Sequence, residues 1–260
     1  MKKVLVFGDS HIAQLVTANT LIEQTEIDFH FITGPGPVKN KLYFKGRRLY
    51  LEENDGVWPG TTIQSNLPNN NFDIWYENTK ARFFKIAQNG SIDLGQFDSI
   101  IVYGGGLVGD NWYWLMNKDS RFSQSIMLDY LESMILKSAQ YLWLKQLGKF
   151  IEDGGRVDFM LPPLRNELAF NDEVESSQDL SVMRLTPVDA SFLEVETLFQ
   201  RFIENNGAKM IPLPRNIYSD SGRATHTRYK SDNKLDFGHV NAAGGTLILG
   251  SLIHTLTVSR

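Results

Sequence analysis

The sequence predicts an α/β protein: a three-layer α/β/α sandwich around a flavodoxin-like sheet of five parallel strands, with an inserted hairpin region after the second strand. Two observations predict it. Short β-rich apolar runs alternate with segments of helical periodicity, the order that sets helices on both faces of a parallel sheet. The chain also has 260 residues, 42% of them hydrophobic and 22% charged, which suits one domain with a substantial core. The first run is Val4 to Phe7, and Ile12, Leu15, Val16 and Ile22 then fall on one face of a helix. The second run is Ile27 to Ile32. Residues 38–97 exceed a minimal α/β unit: KLYFKGRRLYLEENDG reads as a hairpin around Gly46, followed by a polar, asparagine-rich tract and a second hairpin around Asn89-Gly90. Ser99 to Tyr103 is the third run. A long helix from about Ser120 to Leu147 follows, with Ile126, Tyr130, Leu131, Met134 and Leu142 on one face and Gly148 as its C-cap. Val157 to Leu161 is the fourth run, and the acidic stretch 162–188 after it reads as a long loop of the kind that serves a site or is disordered. A helix over Ala190 to Asn205 stops at Asn206-Gly207, before the fifth run, Met210 to Leu213. The last helix begins near Asn241 and packs through Ile248, Leu249, Leu252, Ile253 and Leu256.

Composition narrows the function. A net charge of −4 supplies no broad positive field for phosphate contacts, so nucleic acid is not an expected partner. Without cysteine there is no disulfide, thiolate nucleophile or Cys-based zinc site. The apolar run after Lys2 and Lys3 is too short for a signal segment or a membrane span, and no uncharged apolar stretch approaches the length of a span. The expectation is a cytoplasmic protein with no membrane partner. Oligomeric state is not legible from the sequence.

Two blocks carry chemistry. The first run ends in Gly8-Asp9-Ser10-His11 at the start of a helix, which puts Ser10 at the carboxyl edge of a parallel sheet, where ligands of open α/β sheets bind. Serine is also a common helix N-cap, so this block alone is compatible with a plain strand-to-helix turn. Near the other end, Leu235-Asp236-Phe237-Gly238-His239-Val240-Asn241-Ala242-Ala243-Gly244 again precedes a helix. A carboxylate and an imidazole three residues apart supply the orienter and the base that a serine nucleophile requires.

With both blocks in hand, the chain resembles the SGNH (GDSL-like) hydrolase family, through Val4 to Ser10 at one end and the D-x-x-H-x-N-x-x-G pattern of Asp236, His239, Asn241 and Gly244 at the other. The resemblance implies a serine ester hydrolase in which Ser10 is the nucleophile, His239 the general base and Asp236 its orienting partner, working through an acyl-serine intermediate without cofactor or metal. It also implies an oxyanion hole formed by the Ser10 N–H, a glycine after the second strand and an asparagine after the third. Position favours Gly36 or Gly34 for the glycine, whereas Gly60, in Trp58-Pro59-Gly60-Thr61-Thr62, fits the family's wording but lies beyond the first hairpin. The third block departs from the family: Gly104-Gly105-Gly106-Leu107 puts Gly106 where the asparagine belongs. Either the Gly106 N–H or the side chain of Asn111 replaces the missing donor, or the protein is a weak hydrolase.

The resemblance makes carbohydrate O-acetyl groups the expected substrate class, with a small-molecule or carbohydrate ester as the partner. The same triad can pass an acyl group to a sugar hydroxyl, so O-acyl transfer is the alternative activity. A noncatalytic binding protein that retains the fold is the alternative of another class. The joint presence of Ser10, Asp236 and His239 argues against it. Gly104, Gly106 and Gly109 fit a dinucleotide fingerprint, but a helix occupies the distance at which its acidic residue belongs. His11, Arg165 and Trp112 are the candidate substrate contacts: His11 adjoins Ser10, Arg165 follows the fourth strand at the same sheet edge, and Trp112 stands beside Tyr113 and Trp114 after the third. Arg223, His226, Arg228 and Lys230 form a basic cluster before Asp236, read as a solvated loop or an anion contact.

Overall fold

Strand β1 (Lys2–Gly8) sends Val4 and Val6 to one face of a sheet and Leu5 and Phe7 to the other, and all four are fully buried. This alternation makes two cores of one strand. The computed structural model describes residues 1–23, 26–53, 69–104, 124–163, 191–218, 225–233 and 239–258. Within them, β1 lies at the centre of a five-stranded sheet with β2 (Ile27–Thr33) on one side and β6 (Ser99–Tyr103), β7 (Val157–Met160) and β8 (Lys209–Ile211) on the other, every pairing parallel. The layers and strand order are those the sequence predicts, and all five predicted runs form strands.

Val4 and Val6 pack under α1 (Ile12–Leu21) and the C-terminal helix (Ala242–Val258) through Ile12, Leu15, Ile248, Leu249 and Leu252. Leu5 and Phe7 face Trp143, Leu144, Leu147, Phe199 and Ile203 on the other side. Burying each of these large apolar side chains contributes about 1.5–3 kcal/mol. The two clusters are therefore what hold the layers together.

Residues of the insertion pack on that second face. Strands β3 (Leu42–Lys45) and β4 (Arg48–Leu51) form the expected hairpin at Gly46, and β5 (Ser91–Asp93) adds a third antiparallel strand. The indole of Trp143 donates to the Leu42 carbonyl at 3.0 Å, and the Phe44 N–H donates to the Gln146 side chain at 2.7 Å. The second expected hairpin differs. Asn89 and Gly90 turn the chain as their sequence suggests, with φ of 53° and 77°, but what enters the turn is a helix, α2 (Asn69–Ile86). Its buried residues Phe72, Tyr76, Thr79 and Phe83 recur at helical spacing within a polar sequence.

The long helix expected before β7 is two helices, α3 (Gln124–Lys137) and α4 (Ala139–Glu152). Ser138 divides them: its hydroxyl donates to the Ile135 carbonyl at 2.7 Å and accepts from the Tyr141 N–H at 3.1 Å, closing one helix and capping the next. The break resets the helical phase. Tyr130 and Leu142, expected inside, are each 51% exposed, while Ile135, Trp143, Leu144, Leu147 and Phe150 are buried. Gly148 lies inside α4 rather than at its end, which comes where the Gly154 and Gly155 N–H groups bond back to the Ile151 and Phe150 carbonyls. Helix α5 (Ser191–Glu204) leads into β8, and the C-terminal helix is α6. No described helix is long and apolar enough to cross a membrane.

Candidate active site

The order of the main sheet reverses at β1, where the chain has gone out to β2 on one side and returns to β6 on the other. Crevices at such switch points, beyond the carboxyl ends of the strands, are where open α/β sheets hold ligands. Gly8 and Tyr103 are paired at this edge, so the Gly8-Asp9-Ser10 turn and Gly104 flank the crevice. The close approach requires glycine at both places: a Cβ on Gly8 would overlap the Tyr103 carbonyl, and one on Gly104, whose φ is +118°, would overlap the Asp9 carboxylate.

Ser10 sits between β1 and α1, with its carbonyl accepting from the Ala13 N–H at 3.1 Å as the helix begins. The second block reaches it from the far end of the chain. Asn241 caps α6, accepting from the Gly244 N–H at 3.0 Å and donating to the Arg228 carbonyl at 2.8 Å. Gly245 lets α6 lie close on α1, since a Cβ there would be 2.6 Å from the Gln14 carbonyl oxygen. A bridge between Lys230 and Val240, and a bond from the Ser231 N–H to the His239 carbonyl at 3.2 Å, hold the segment before the helix. His239 is thereby carried over the end of β1, and its Nε2 lies 2.8 Å from the Ser10 Oγ. A hydroxyl hydrogen-bonded to an imidazole is placed to lose its proton as the oxygen attacks an electrophile.

His11 joins this pair. Its Nδ1 lies 2.8 Å from Asp9 Oδ1, and its ring centroid lies 4.5 Å from that of His239 with 31° between the planes. Asp9 itself is 8% exposed, and its carbonyl accepts from the Thr33 hydroxyl at 2.8 Å. Next to them, Tyr103 is fully buried. Burial pushes its hydroxyl far above the ordinary tyrosine range, and the negative charge of Asp9 and the neighbouring Tyr218 push in the same direction.

Of the two glycines after β2, Gly34 has its N–H committed to the Gly8 carbonyl at 2.7 Å. Gly36 has φ of +53° and opens a 3-10 turn over Gly36–Lys41, in which Pro37 has no N–H and the Val38 N–H donates to the Pro35 carbonyl at 3.1 Å. Trp75 and Phe72 of α2 close over it; a Cβ on Gly36 would be 2.9 Å from the Trp75 ring. Thr79, fully buried one turn after Trp75, ties α2 to the sheet by a hydroxyl bond of 2.6 Å to the Thr33 carbonyl. The sequence reading missed both α2 as a wall of this crevice and the pairing of Asp9 with His11. The spacing of Phe72, Tyr76, Thr79 and Phe83 is the signal that could have found α2.

The structure thus brings together Ser10, His239 and His11, with Gly34 and Gly36 on the neighbouring strand end. Asp236, Gly106, Asn111, Trp112 and Arg165 lie outside the described residues, as do Gly60 and Arg223. The described members of the basic cluster are engaged by their own loop: His226 Nδ1 accepts from the Arg228 N–H, Arg228 stacks on Tyr229, and Lys230 bonds the Asn233 carbonyl.

A scan against protein-family models and a search of curated proteins find no match to this chain. Among solved structures it is similar to the periplasmic domain of a lipopolysaccharide acetyltransferase from Salmonella ser. Paratyphi A, with 12% identity and a TM-score of 0.44 over 99% of this chain and 84% of that one. It is similar to a protein named as a platelet activating factor from Streptococcus pneumonia, with 12% identity and a TM-score of 0.43 over 98% and 84% of the two chains. A third similar structure is a protein named as an acylhydrolase from Bacteroides fragilis, with 10% identity and a TM-score of 0.41 over 98% and 86%.

Proposed function

We propose that this protein is a serine ester hydrolase acting on an acyl ester, with carbohydrate O-acetyl groups as its substrate class. The observation that carries the reading is the 2.8 Å hydrogen bond between Ser10 Oγ and His239 Nε2 at the switch point of the sheet. Ser10 Oγ attacks the acyl carbonyl while His239 Nε2 takes the hydroxyl proton. The tetrahedral intermediate then collapses, the bond from the acyl carbon to the alcohol oxygen breaks, and His239 returns the proton to the leaving alcohol. A water molecule enters next, loses a proton to the same nitrogen and attacks the acyl-serine. The carboxylic acid leaves and Ser10 regains its proton.

Asp236 holds the imidazole in the tautomer that presents an unprotonated Nε2 to Ser10 and stabilises the imidazolium formed on proton transfer. The oxyanion is received by the Ser10 N–H, by the Gly36 N–H and, in place of the family's asparagine, by the Gly106 N–H. Between the two glycines after β2, the bond from Gly34 to Gly8 favours Gly36.

The test is covalent. A fluorophosphonate probe is expected to label the wild-type protein at Ser10 and to leave Ser10→Ala unlabelled, and labelled protein is expected to lose acetate release from O-acetylated sugars. Equal labelling of the two proteins would overturn the assignment of the nucleophile. A folded wild type that neither reacts nor releases acetate would overturn the hydrolase reading.

A further inference from the structure

Ser10 is flanked in sequence by an aspartate and a histidine that bond each other. His11 is held twice by one oxygen, since Asp9 Oδ1 lies 2.8 Å from its Nδ1 and accepts from its backbone N–H at 3.1 Å. Asp9, whose carboxylate does this, is 8% exposed, and that carboxylate rests where Gly104 has no side chain. On its other side the His11 ring lies against the His239 ring, with centroids 4.5 Å apart and planes tilted 31° from parallel. A continuous line of contacts therefore runs from Gly104 on the β6 end through Asp9 and His11 to His239 and Ser10.

The geometry matters because of how an imidazole turns. The second side-chain torsion of histidine is broad and roughly two-fold, and hydrogen bonds at the ring edge, from Ser10 at Nε2 and, in the proposed triad, from Asp236 at Nδ1, leave the tilt of the ring about the line between them to be set by what packs on its faces. A second ring packed against its face, itself tied to the sheet by Asp9, restricts that torsion. We propose that His11, held by Asp9, is a positioning residue that fixes the plane of the His239 ring and keeps Nε2 aimed at Ser10 Oγ. The proposal rests on the hydrolase reading for its kinetic consequence, but not for its geometry. It replaces the substrate-contact role that adjacency to Ser10 suggests from sequence.

Three variants of the full chain separate the ring from the hydrogen bond: His11→Phe keeps a ring without the bond to Asp9, His11→Gln keeps a polar partner for Asp9 without a ring, and His11→Ala keeps neither. With p-nitrophenyl acetate as substrate, His11→Ala and His11→Gln are expected to lower kcat by about ten- to a hundredfold while KM changes by less than about threefold. His11→Phe is expected to recover most of the lost kcat. A raised KM with kcat intact would make His11 a substrate contact instead. An equal fall in all three variants, accompanied by a lower melting temperature, would make it a structural residue.

The second measurement does not depend on turnover. The 15N resonance of His239 Nε2, assigned with His239→Ala, is expected to lose its hydrogen-bonded position in His11→Ala and His11→Gln and to keep it in His11→Phe. If that resonance stays unmoved in His11→Ala, the positioning role is wrong even in an active enzyme. If it moves as expected in a protein with no esterase activity, the positioning role stands and the hydrolase reading fails.

Discussion

Ser10 Oγ and His239 Nε2 stand 2.8 Å apart, although 229 positions separate them in the chain. The contact joins the first strand to the last helix, so it forms only when α6 has docked on α1 and the sheet has closed around β1. The glycine that permits that docking, Gly245, directly follows the block that carries His239. In this protein the site and the fold are therefore completed by the same packing event.

The three proposed triad members are expected to respond unequally. Ser10→Ala and His239→Ala each lower kcat by about 10⁶-fold, because neither the attacking oxygen nor its base has a substitute. Asp236→Asn keeps the fold but stabilises the wrong imidazole tautomer, with a loss of about 10⁴ in kcat. Far-ultraviolet circular dichroism should be the same for all three. A folded Ser10→Ala protein with undiminished turnover would point to another nucleophile.

Gly104→Ala tests the carboxyl edge of β6. The added methyl group overlaps the Asp9 carboxylate, and the φ of +118° is closed to alanine, so the strand end must move. We expect a loss of about 1–3 kcal/mol in urea-induced unfolding, together with a fall in kcat as Asp9 releases His11. Wild-type stability in this variant would show that the edge is more yielding than its contacts suggest.

The glycine-rich third block is the subject of a paired prediction. A backbone donor at Gly106 makes Gly106→Val severe, with a loss of about 10²-fold or more in kcat, and Asn111→Ala nearly silent. A side chain five residues downstream has to fold back to reach the oxyanion, whereas glycine tolerates the dihedral angles that turn an N–H into the crevice. The reverse pattern in steady-state kinetics would identify Asn111 as the donor.

Thr79→Val measures how firmly α2 is held against the site. Thr79 is fully buried, and its hydroxyl is 2.6 Å from the Thr33 carbonyl and 2.9 Å from the Trp75 carbonyl. Valine has the same shape but cannot donate, which leaves the Thr33 carbonyl without this donor at a cost of about 1–3 kcal/mol. Because Trp75 lies on Gly36, kcat/KM is expected to fall along with stability. A variant that is destabilised yet kinetically normal would remove α2 from the working part of the site.

What could be read from the sequence follows from how local each signal is. The five central strands are short β-rich runs with few polar residues, and the two motif blocks sit at strand or helix ends, so neither depends on knowing the rest of the fold. The break at Ser138 escaped notice because a serine within a helical pattern looks like an exposed interior position until its two hydrogen bonds are seen. Helix α2 escaped because its first turn is asparagine-rich and its buried face is divided among charged residues. The Asp9–His11 bond depends on the turn after β1, which bends the chain so that residues two apart meet. Hydrophobic periodicity carries no information about such a turn.

Tyr103 gives a prediction about pH. It is fully buried, and burial, the charge of Asp9 and the nearby Tyr218 all raise its pKa above the ordinary tyrosine value of about 10. In the folded protein the hydroxyl thus keeps its proton at pH values where the unfolded chain has lost it. Below pH 10 both states hold the proton and Tyr103 adds no pH dependence. Above that value the unfolded state binds fewer protons than the folded one, so the free energy of unfolding declines with rising pH, by up to about 1.4 kcal/mol per pH unit from this group. The decline continues until the raised folded pKa is reached. Lysines and the other tyrosines titrate in the same range, so the informative quantity is the difference between wild type and Tyr103→Phe. Phenylalanine fills the same space without an ionisable group, and the variant is expected to lose less stability between pH 9 and pH 11 than wild type. Urea unfolding of both proteins across that range is the measurement, and parallel curves would mean that the Tyr103 hydroxyl ionises as readily in the folded protein as in the unfolded chain.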